Sequence, residues 1–563
     1  MTSGRSSDGW QKSNKEKKER KNTNNMSQAT SLSESELKYC ATNIDLCCNI
    51  DCCYDVVIVC TGNPSQEKYW QSRLESGLGV FFPKTTVVLA VHEDWEGGAG
   101  NGLGTLYAYK KACAAAALRD IDLPQLLRDG ASVALYHTAG KGTRLAPLPG
   151  SENNNKPGVQ LPAQVTLSNG EKVNVSILEA VIKQTGIYAK SRGGRVSVYW
   201  GDQVFIPSID ATYAPIAHAD ILCKLRPMPT ADEWAAEGLQ NYGLIAVNDK
   251  GQAAQVEKVT HETATRLLQD GLGQVSQVGT SLGSFSVSAV FLEALMDEFA
   301  IELEKKSGKL DTDPHFWMPL TLSEKSYVEV MKQKGVEEGV SRDHFKRMDE
   351  FKRNKLPQDD TLGIFGAVDV GRNCYWWDYG QLRWYWKNNM LAIDGSVEAT
   401  MLRKFYLMEA NRTEDTAEET LKLLKRDESS IVLNCRVQGD SSVEKSLLSN
   451  VVAAEVNVSN ALLVNVSAKK IKGSGGILYN VVDDSEDGIT LNDGDVRADI
   501  VTASGEKISM KTNLSQDSGK AWKIKLDGND RSFEDIYKMN LEADIMAAFA
   551  KAKEMHAALR GNL

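Results

Sequence analysis

No stretch of this 563-residue chain approaches about 18 consecutive apolar residues, so no transmembrane helix is predicted. The first thirty positions are polar and lack an apolar core segment, so a conventional secretory signal is not expected. Ten cysteines are too sparse for a disulfide scaffold, and a cytoplasmic location is the expectation. Basic charge is also short, with 65 Lys+Arg against 75 Asp+Glu and a net charge of −10. Without a global positive field, neither nucleic acid nor an anionic membrane surface is an expected partner. Any bound phosphate must be held by a local site. No Ser/His/Asp or Cys/His arrangement suggests nucleophilic catalysis, and no Gly-x-Ser-x-Gly falls at a strand-to-helix elbow.

Order along the chain comes next. Residues 1–36 are rich in Ser, Asn and Lys, include the run Lys15 to Lys21, and read as a solvated, disordered tail. From Asp55 short β-branched runs appear: Val56 to Cys60, Thr86 to Val91, Ser132 to Tyr136, and Val196 to Trp200. Such runs suit strands buried on both faces. The segments between them, Tyr107 to Leu118 and Ile177 to Lys190, carry helical spacing. Alternating strands and helices predict an α/β fold with a doubly wound, mostly parallel sheet over residues 37–415. Ligands then belong in loops just beyond the strands' carboxyl ends. A helical linker is expected over 416–428. Residues 429–530 are β-rich, with small apolar residues at roughly six-residue steps, as in Val437 to Val443 and Ile471 to Ile477. That period predicts a left-handed parallel β-helix of few coils, with a small β-sandwich as the alternative. A closing helix is expected from Ser532 to about Leu559, within a terminal segment 531–563.

The loop after the third strand holds the densest chemistry: Ala139-Gly140-Lys141-Gly142-Thr143-Arg144-Leu145-Ala146-Pro147-Leu148, then Asn155-Lys156-Pro157. Glycines 140 and 142 let backbone N–H groups approach a phosphate, Arg144 offers a bidentate clamp, and Lys156 a point charge. A dinucleotide-binding turn would open a helix, which Pro147 and Pro149 oppose. A Walker A loop would end in Gly-Lys-Ser/Thr, which is missing here.

This string resembles the signature of the sugar-1-phosphate nucleotidylyltransferases (NDP-sugar pyrophosphorylases), whose fold is a Rossmann-like nucleotidyltransferase domain. Four further stretches follow in that family's order. Gly201-Asp202 resembles its metal-holding Gly-Asp. Tyr242-Gly243 with Val256-Glu257-Lys258 is similar to its sugar-phosphate motif. Leu282-Gly283-Ser284-Phe285 resembles its Gly-x-Tyr strand. Trp377-Asp378-Tyr379-Gly380, with Tyr385 and Asn388-Asn389, resembles the closing stretch that supplies a second metal carboxylate. The resemblance implies transfer of a nucleotidyl group from a nucleoside triphosphate to a sugar-1-phosphate, releasing pyrophosphate. It implies Mg²⁺ on Asp202 and Asp378, and nucleotide on Ala139, Gly140, Gly142 and Thr143. Arg144 and Lys156 become catalytic, and Gly243, Glu257 and Lys258 hold the sugar phosphate. In-line phosphoryl chemistry asks for these residue types, because two anions must be aligned and screened.

Only 45 residues separate Lys156 from Asp202, too few for the usual base-binding unit. Gly97 to Gly104 is the candidate replacement, with Gly102 and Gly104 at the nucleotide. This placement resembles the fucose-1-phosphate guanylyltransferase (GDP-fucose pyrophosphorylase) branch, and self-association through the C-terminal domain is a further expectation. Blander readings stand beside these. Asp202 could cap a turn, Asp378 could pair with Arg383, and Glu257-Lys258 could be an ordinary exposed pair. Cys40, Cys47, Cys48, Cys52 and Cys53 offer no C-x₂-C pair and no nearby histidine, and read as buried small hydrophobes. Asp311-Thr312-Asp313 suggests an alternative, a nucleotide-sugar-dependent glycosyltransferase; a non-catalytic nucleotide-sugar-binding subunit is the other.

Overall fold

The computed structural model describes residues 32–357, 361–408, 413 and 415–563. The tail expected over 1–36, with its basic run, therefore falls largely outside the described residues. Its inner end is helical, since Glu34–Cys48 starts on a capping box between Ser33 and Glu36.

The four apolar runs fold as the strands they predict: β1 Val56–Thr61, β2 Val87–His92, β3 Val133–His137 and β4 Arg195–Trp200. They pair in parallel in the spatial order β2-β1-β3-β4. Helices cover both faces. Val57 and Val59 of β1 enter one core with Trp70, Ala180 and Val181, while Val56, Ile58 and Cys60 enter another with Leu103, Leu106 and Phe291. All six residues of β1 are buried. Two-sided burial is the reason the run lacks the alternation of a half-exposed strand. The chain reverses direction across the sheet between β1 and β3, opening a crevice beyond their carboxyl ends.

The second half of the sheet is mainly antiparallel, which the sequence reading did not anticipate. After β5 Gln203–Ile206 come β6 Ala217–Pro227, β7 Gly243–Asn248, β8 Ala253–Glu257 and the long β9 Val275–Ser288. β9 pairs antiparallel with β4, β6 and β7, and β8 with β7. β10 Gly363–Asp369 joins β6 in parallel, completing nine strands. β11 Tyr375–Asp378 leaves the sheet to form a two-stranded ribbon with β5.

Beyond Glu418–Leu423 the chain stacks parallel rungs. One 37-residue run of strand, Leu447–Asp483, pairs with segments before and after it. Inward residues recur every fifth position through Val451, Val456, Ala461, Val466 and Ile471, with Ala453, Val458, Leu463 and Ala468 between. The six-residue step is thus corrected to five here, because side chains 15 residues apart lie one above another. Asn450 Nδ2 donates to Asn465 Oδ1 at 3.0 Å, and Asn465 Nδ2 to Asn480 Oδ1 at 2.9 Å. All three sit at positive φ (58°, 54°, 52°), where asparagine costs less than most residues. The strands Asp495–Val501 and Lys507–Asn513 close the stack as an antiparallel pair. The expected closing helix is two, Phe533–Asn540 and Ile545–Gly561. The second opens on Asp544, whose side chain accepts from the Ala547 N–H.

Candidate functional site

The loop leaving β3 takes its shape from glycine. Gly140 (φ 133°) and Gly142 (φ 64°) occupy backbone regions that disfavour side chains, and a short turn Thr143–Leu145 follows. A one-turn helix, Leu148–Ser151, is all that forms around the prolines. Ala139, Gly140 and the Arg144 side chain are exposed, and Gly142 and Thr143 are half-buried. Arg144 makes no ion pair among the described residues.

Lys156 returns to the strand ends in the turn Lys156–Gly158, where its Nζ pairs with Asp202 Oδ2 at 2.5 Å. Asp202 sits in the turn between β4 and β5. The ribbon of β5 with β11 brings Asp378 alongside, and the Tyr379 N–H donates to the Asp202 carbonyl at 3.0 Å. A Cβ placed on Gly380 would lie 2.9 Å from Asp202 Oδ2 and 3.1 Å from Asp378 Oδ1, so both carboxylates crowd that glycine. Gly380 N–H donates to Asp378 Oδ1 at 2.7 Å, and Asn388 Nδ2 to the Asp378 carbonyl at 2.7 Å. Burial, then the neighbouring Asp202 charge, lifts the Asp378 carboxyl above its usual range, against the pull of the Gly380 N–H, Arg144 and Lys156. Arg144, Lys156, Asp202 and Asp378 are therefore brought together, from motifs 234 positions apart at their extremes (144 to 378). Asp378 makes no ion pair with Arg383.

An open cleft at the carboxyl ends of β3 and β4 is lined by His137, Thr138, Ala139, Lys156, Trp200 and Asp202. The His137 ring stacks on Trp200 at 5.5 Å and bonds Thr105 Oγ1 at 2.8 Å. Burial pushes its imidazole down to about 4, so it is neutral near pH 7. Sequence reasoning passed over His137 and Trp200. Their signal was position, the last residue of each parallel strand.

The second cluster forms where the β7–β8 hairpin sets Glu257 opposite Gly243. Glu257 pairs with Lys258 at 2.7 Å and Lys334 at 2.9 Å, and Lys258 sits at φ 56°. Asp313 adjoins it: a Cβ on Gly243 would be 3.4 Å from Asp313 Oδ2, and burial pushes that carboxyl up to about 6. Trp200 joins the two regions. A Cβ on Gly283 would meet its Nε1 at 2.6 Å, and Ser281 of the same strand borders Gly243. No hydrogen bond or ion pair among the described residues links Glu257 or Lys258 to Asp202, Lys156 or Arg144.

Gly102 and Gly104 lie inside the helix Gly100–Ala117 and are buried, not presented on the cleft. The Gly102 N–H donates to the Leu310 carbonyl at 2.9 Å, and Asn101 N–H to Asp311 Oδ1 at 3.0 Å. A Cβ on Gly100 would come within 2.5 Å of the Leu310 carbonyl oxygen, and one on Gly104 within 2.9 Å of Glu93 Oε2. Close packing of the 310–312 segment and of Glu93 thus accounts for these glycines locally. Asp311 already caps a helix N-terminus. The cysteine cluster is free and partly built into the core, with Cys40 and Cys47 buried, and the described residues contain no group of three metal ligands.

No family model matches this chain, and no curated protein does. Among solved structures, HddC from Yersinia pseudotuberculosis complexed with GMP-PN is similar at 11% identity. The match covers 60% of this chain and 98% of that one, with a TM-score of 0.21. No helix among the described residues is long and apolar enough to cross a membrane.

Proposed function

We propose that this chain is a sugar-1-phosphate nucleotidylyltransferase. The observation that carries the reading is the closeness of Asp202, Asp378 and Lys156 at the strand ends, with the Arg144 charge near enough to act on Asp378. A sugar-1-phosphate oxygen forms a bond to the α-phosphorus, the bond from that phosphorus to the β-phosphate bridging oxygen breaks, and pyrophosphate departs with the electron pair. No proton need move, because the attacking phosphate is ionised at pH 7.

Asp202 and Asp378 suit a hard cation. Two carboxylates crowd the small space that Gly380 leaves free, few enough protein ligands for an ion completed by phosphate and water. Mg²⁺ held by this pair would supply charge neutralisation at the α-phosphate. On this reading Lys156, which pairs with Asp202, would neutralise the α-phosphate and Arg144 the leaving β- and γ-phosphates. Ala139 to Thr143 follow the phosphate chain. The Glu257–Lys258 corner takes the sugar-1-phosphate, with Lys258 on the phosphate and Glu257 on hydroxyls. Gly102 and Gly104 are buried in a helix whose Thr105 hydroxyl bonds His137 at the cleft, so any bearing they have on nucleotide would come through that helix. For the C-terminal rungs we propose a parallel β-helix, supported by the asparagine ladder and five-residue inward repeat.

Pyrophosphate release is to be measured with four nucleoside triphosphates against a panel of sugar-1-phosphates, with Mg²⁺. The expected result is release with one base and sugar pair, abolished in Asp202→Ala and Arg144→Ala. A GTP and fucose-1-phosphate pair would extend the branch resemblance. Sugar transfer without pyrophosphate release, intact in Asp202→Ala but lost in Asp311→Ala or Asp313→Ala, would replace this reading by the glycosyltransferase.

A further inference from the structure

The loop between Arg144 and Lys156 carries a cluster of contacts with the C-terminal unit. Its centre is Glu152, whose side chain is buried with the residue only 1% exposed. Glu152 Oε1 accepts from Tyr479 Oη, from Asn480 Nδ2 at 2.9 Å and from Gln160 Nε2 at 3.2 Å. Tyr479 Oη also accepts from the Gln160 backbone N–H at 2.7 Å, and Asn480 Nδ2 also donates to Ser151 Oγ at 2.8 Å. Tyr479 and Asn480 belong to the stacked rungs, more than 300 residues away in sequence.

Further fastenings flank this centre. Asn154 Nδ2 donates to the Tyr537 carbonyl at 2.7 Å, and Asn540 Nδ2 to the Gly150 carbonyl at 2.9 Å. Ser518 Oγ donates to the Ala146 carbonyl at 3.0 Å, and Lys141 Nζ lies 5.5 Å from the Tyr537 ring centre. Ala146 itself is buried in a small core with Ile500, Met510, Phe533 and Ile536. The loop's own structure is short turns only, one of them the helical turn Leu148–Ser151, with Asn153 and Asn154 both at positive φ (53°, 65°). Backbone bonds within the loop, such as Asn154 N–H to the Pro149 carbonyl at 2.8 Å, and Trp70 Nε1 on Asn155 Oδ1 at 2.9 Å set part of its course, and the C-terminal contacts fix the Glu152 corner between Arg144 and Lys156.

We propose that Tyr479 and Asn480 are positioning residues for the nucleotide loop, so that the C-terminal unit is an integral part of the phosphate site. The inference rests on the nucleotidylyltransferase reading in one respect, that the loop carries phosphate. Docking of the rungs and binding of polyphosphate are then linked, each strengthening the other by the same factor. Anything that loosens the rungs at Tyr479 lowers phosphate affinity without touching the sugar corner.

The test uses the full chain and magnesium pyrophosphate, the product common to every base. Tyr479→Phe removes the hydroxyl from both Glu152 and Gln160 while keeping the ring. Asn450→Ala, two rungs away in the asparagine ladder, weakens the rungs without touching the loop. Pyrophosphate affinity is measured by calorimetry, and amide hydrogen exchange is followed over 141–156 and 243–258. The expected result for Tyr479→Phe is about tenfold weaker pyrophosphate binding and faster exchange confined to 141–156. Asn450→Ala is expected to lower thermal stability and leave pyrophosphate affinity within twofold. Unchanged affinity in folded Tyr479→Phe, with loss in Arg144→Ala, would overturn the positioning role and leave the reading intact. Unchanged affinity in both would remove both. Equal loss in Asn450→Ala and Tyr479→Phe would reduce the effect to general damage and overturn the proposal as well.

Discussion

Gly380→Ala separates the chemistry of the site from the stability of the fold. A methyl group there would stand 2.9 Å from Asp202 Oδ2 and 3.1 Å from Asp378 Oδ1, inside ordinary carbon–oxygen contact. Both carboxylates must give way by several tenths of an ångström, and Asp202 has little room because Lys156 holds the same oxygen at 2.5 Å. The backbone is not the obstacle, since φ at Gly380 lies outside the left-handed region. Alanine there reduces the freedom of the unfolded chain, worth about 0.4–1 kcal/mol in favour of folding, which offsets part of the local crowding. The unfolding midpoint should therefore move by no more than a few degrees. Activity should not be spared: misplacing reacting groups by about 1 Å costs on the order of 100-fold, so a shift of several tenths should cost roughly 10-fold, or about 1.4 kcal/mol of transition-state stabilisation. Pyrophosphate release under saturating Mg²⁺ reads the first effect and thermal unfolding the second. A folded Gly380→Ala enzyme keeping half or more of its activity would falsify the view that these two carboxylates work as one pair.

Two further outcomes follow from individual groups. Burial lifts the Glu152 carboxyl from its ordinary 4.5 to about 7, against the pull of Tyr479, Asn480, Gln160 and Arg73. A raised folded value means stability is fully present below pH 4.5 and is lost as pH rises through about 7. Against Glu152→Gln in urea denaturation, the natural protein should lose on the order of 3 kcal/mol between pH 5 and 8; parallel pH curves for the two would contradict it. Lys258 occupies φ 56°, which costs a residue with a side chain roughly 1 kcal/mol relative to glycine. Lys258→Gly should hold or raise the melting temperature while raising the KM for sugar-1-phosphate at least tenfold and leaving that for nucleotide alone. A change confined to nucleotide would place Lys258 elsewhere in the reaction.

The parallel half of the sheet was legible because its strands are buried on both faces, which leaves uninterrupted β-branched runs such as Val56 to Cys60. The antiparallel half was not. β9 carries Ser, Gly and Thr among its apolar residues, and its partners are chosen by long-range register that no local pattern records. The five-residue step of the rungs was blurred for a similar reason. Small residues fit inward positions as readily as outward ones, so only the stacking of Asn450, Asn465 and Asn480 sets the period.

The candidate site divides in the same way. Residue types and their order along the chain determined which groups could handle phosphate: flexible glycines at 140 and 142, cations at 144 and 156, carboxylates at 202 and 378. Whether the two carboxylates meet was decided by a two-stranded ribbon, in which β11 leaves the main sheet to pair with β5. The sequence is blind to that pairing, because backbone hydrogen bonds are the same for every residue and do not reveal which strand accepts them. Only tertiary structure, likewise, could assign Gly100 and Gly102 to close packing against Leu310, or lay the C-terminal rungs on the loop between Arg144 and Lys156. Chemistry is written locally in side chains, but proximity arises when distant surfaces bury one another.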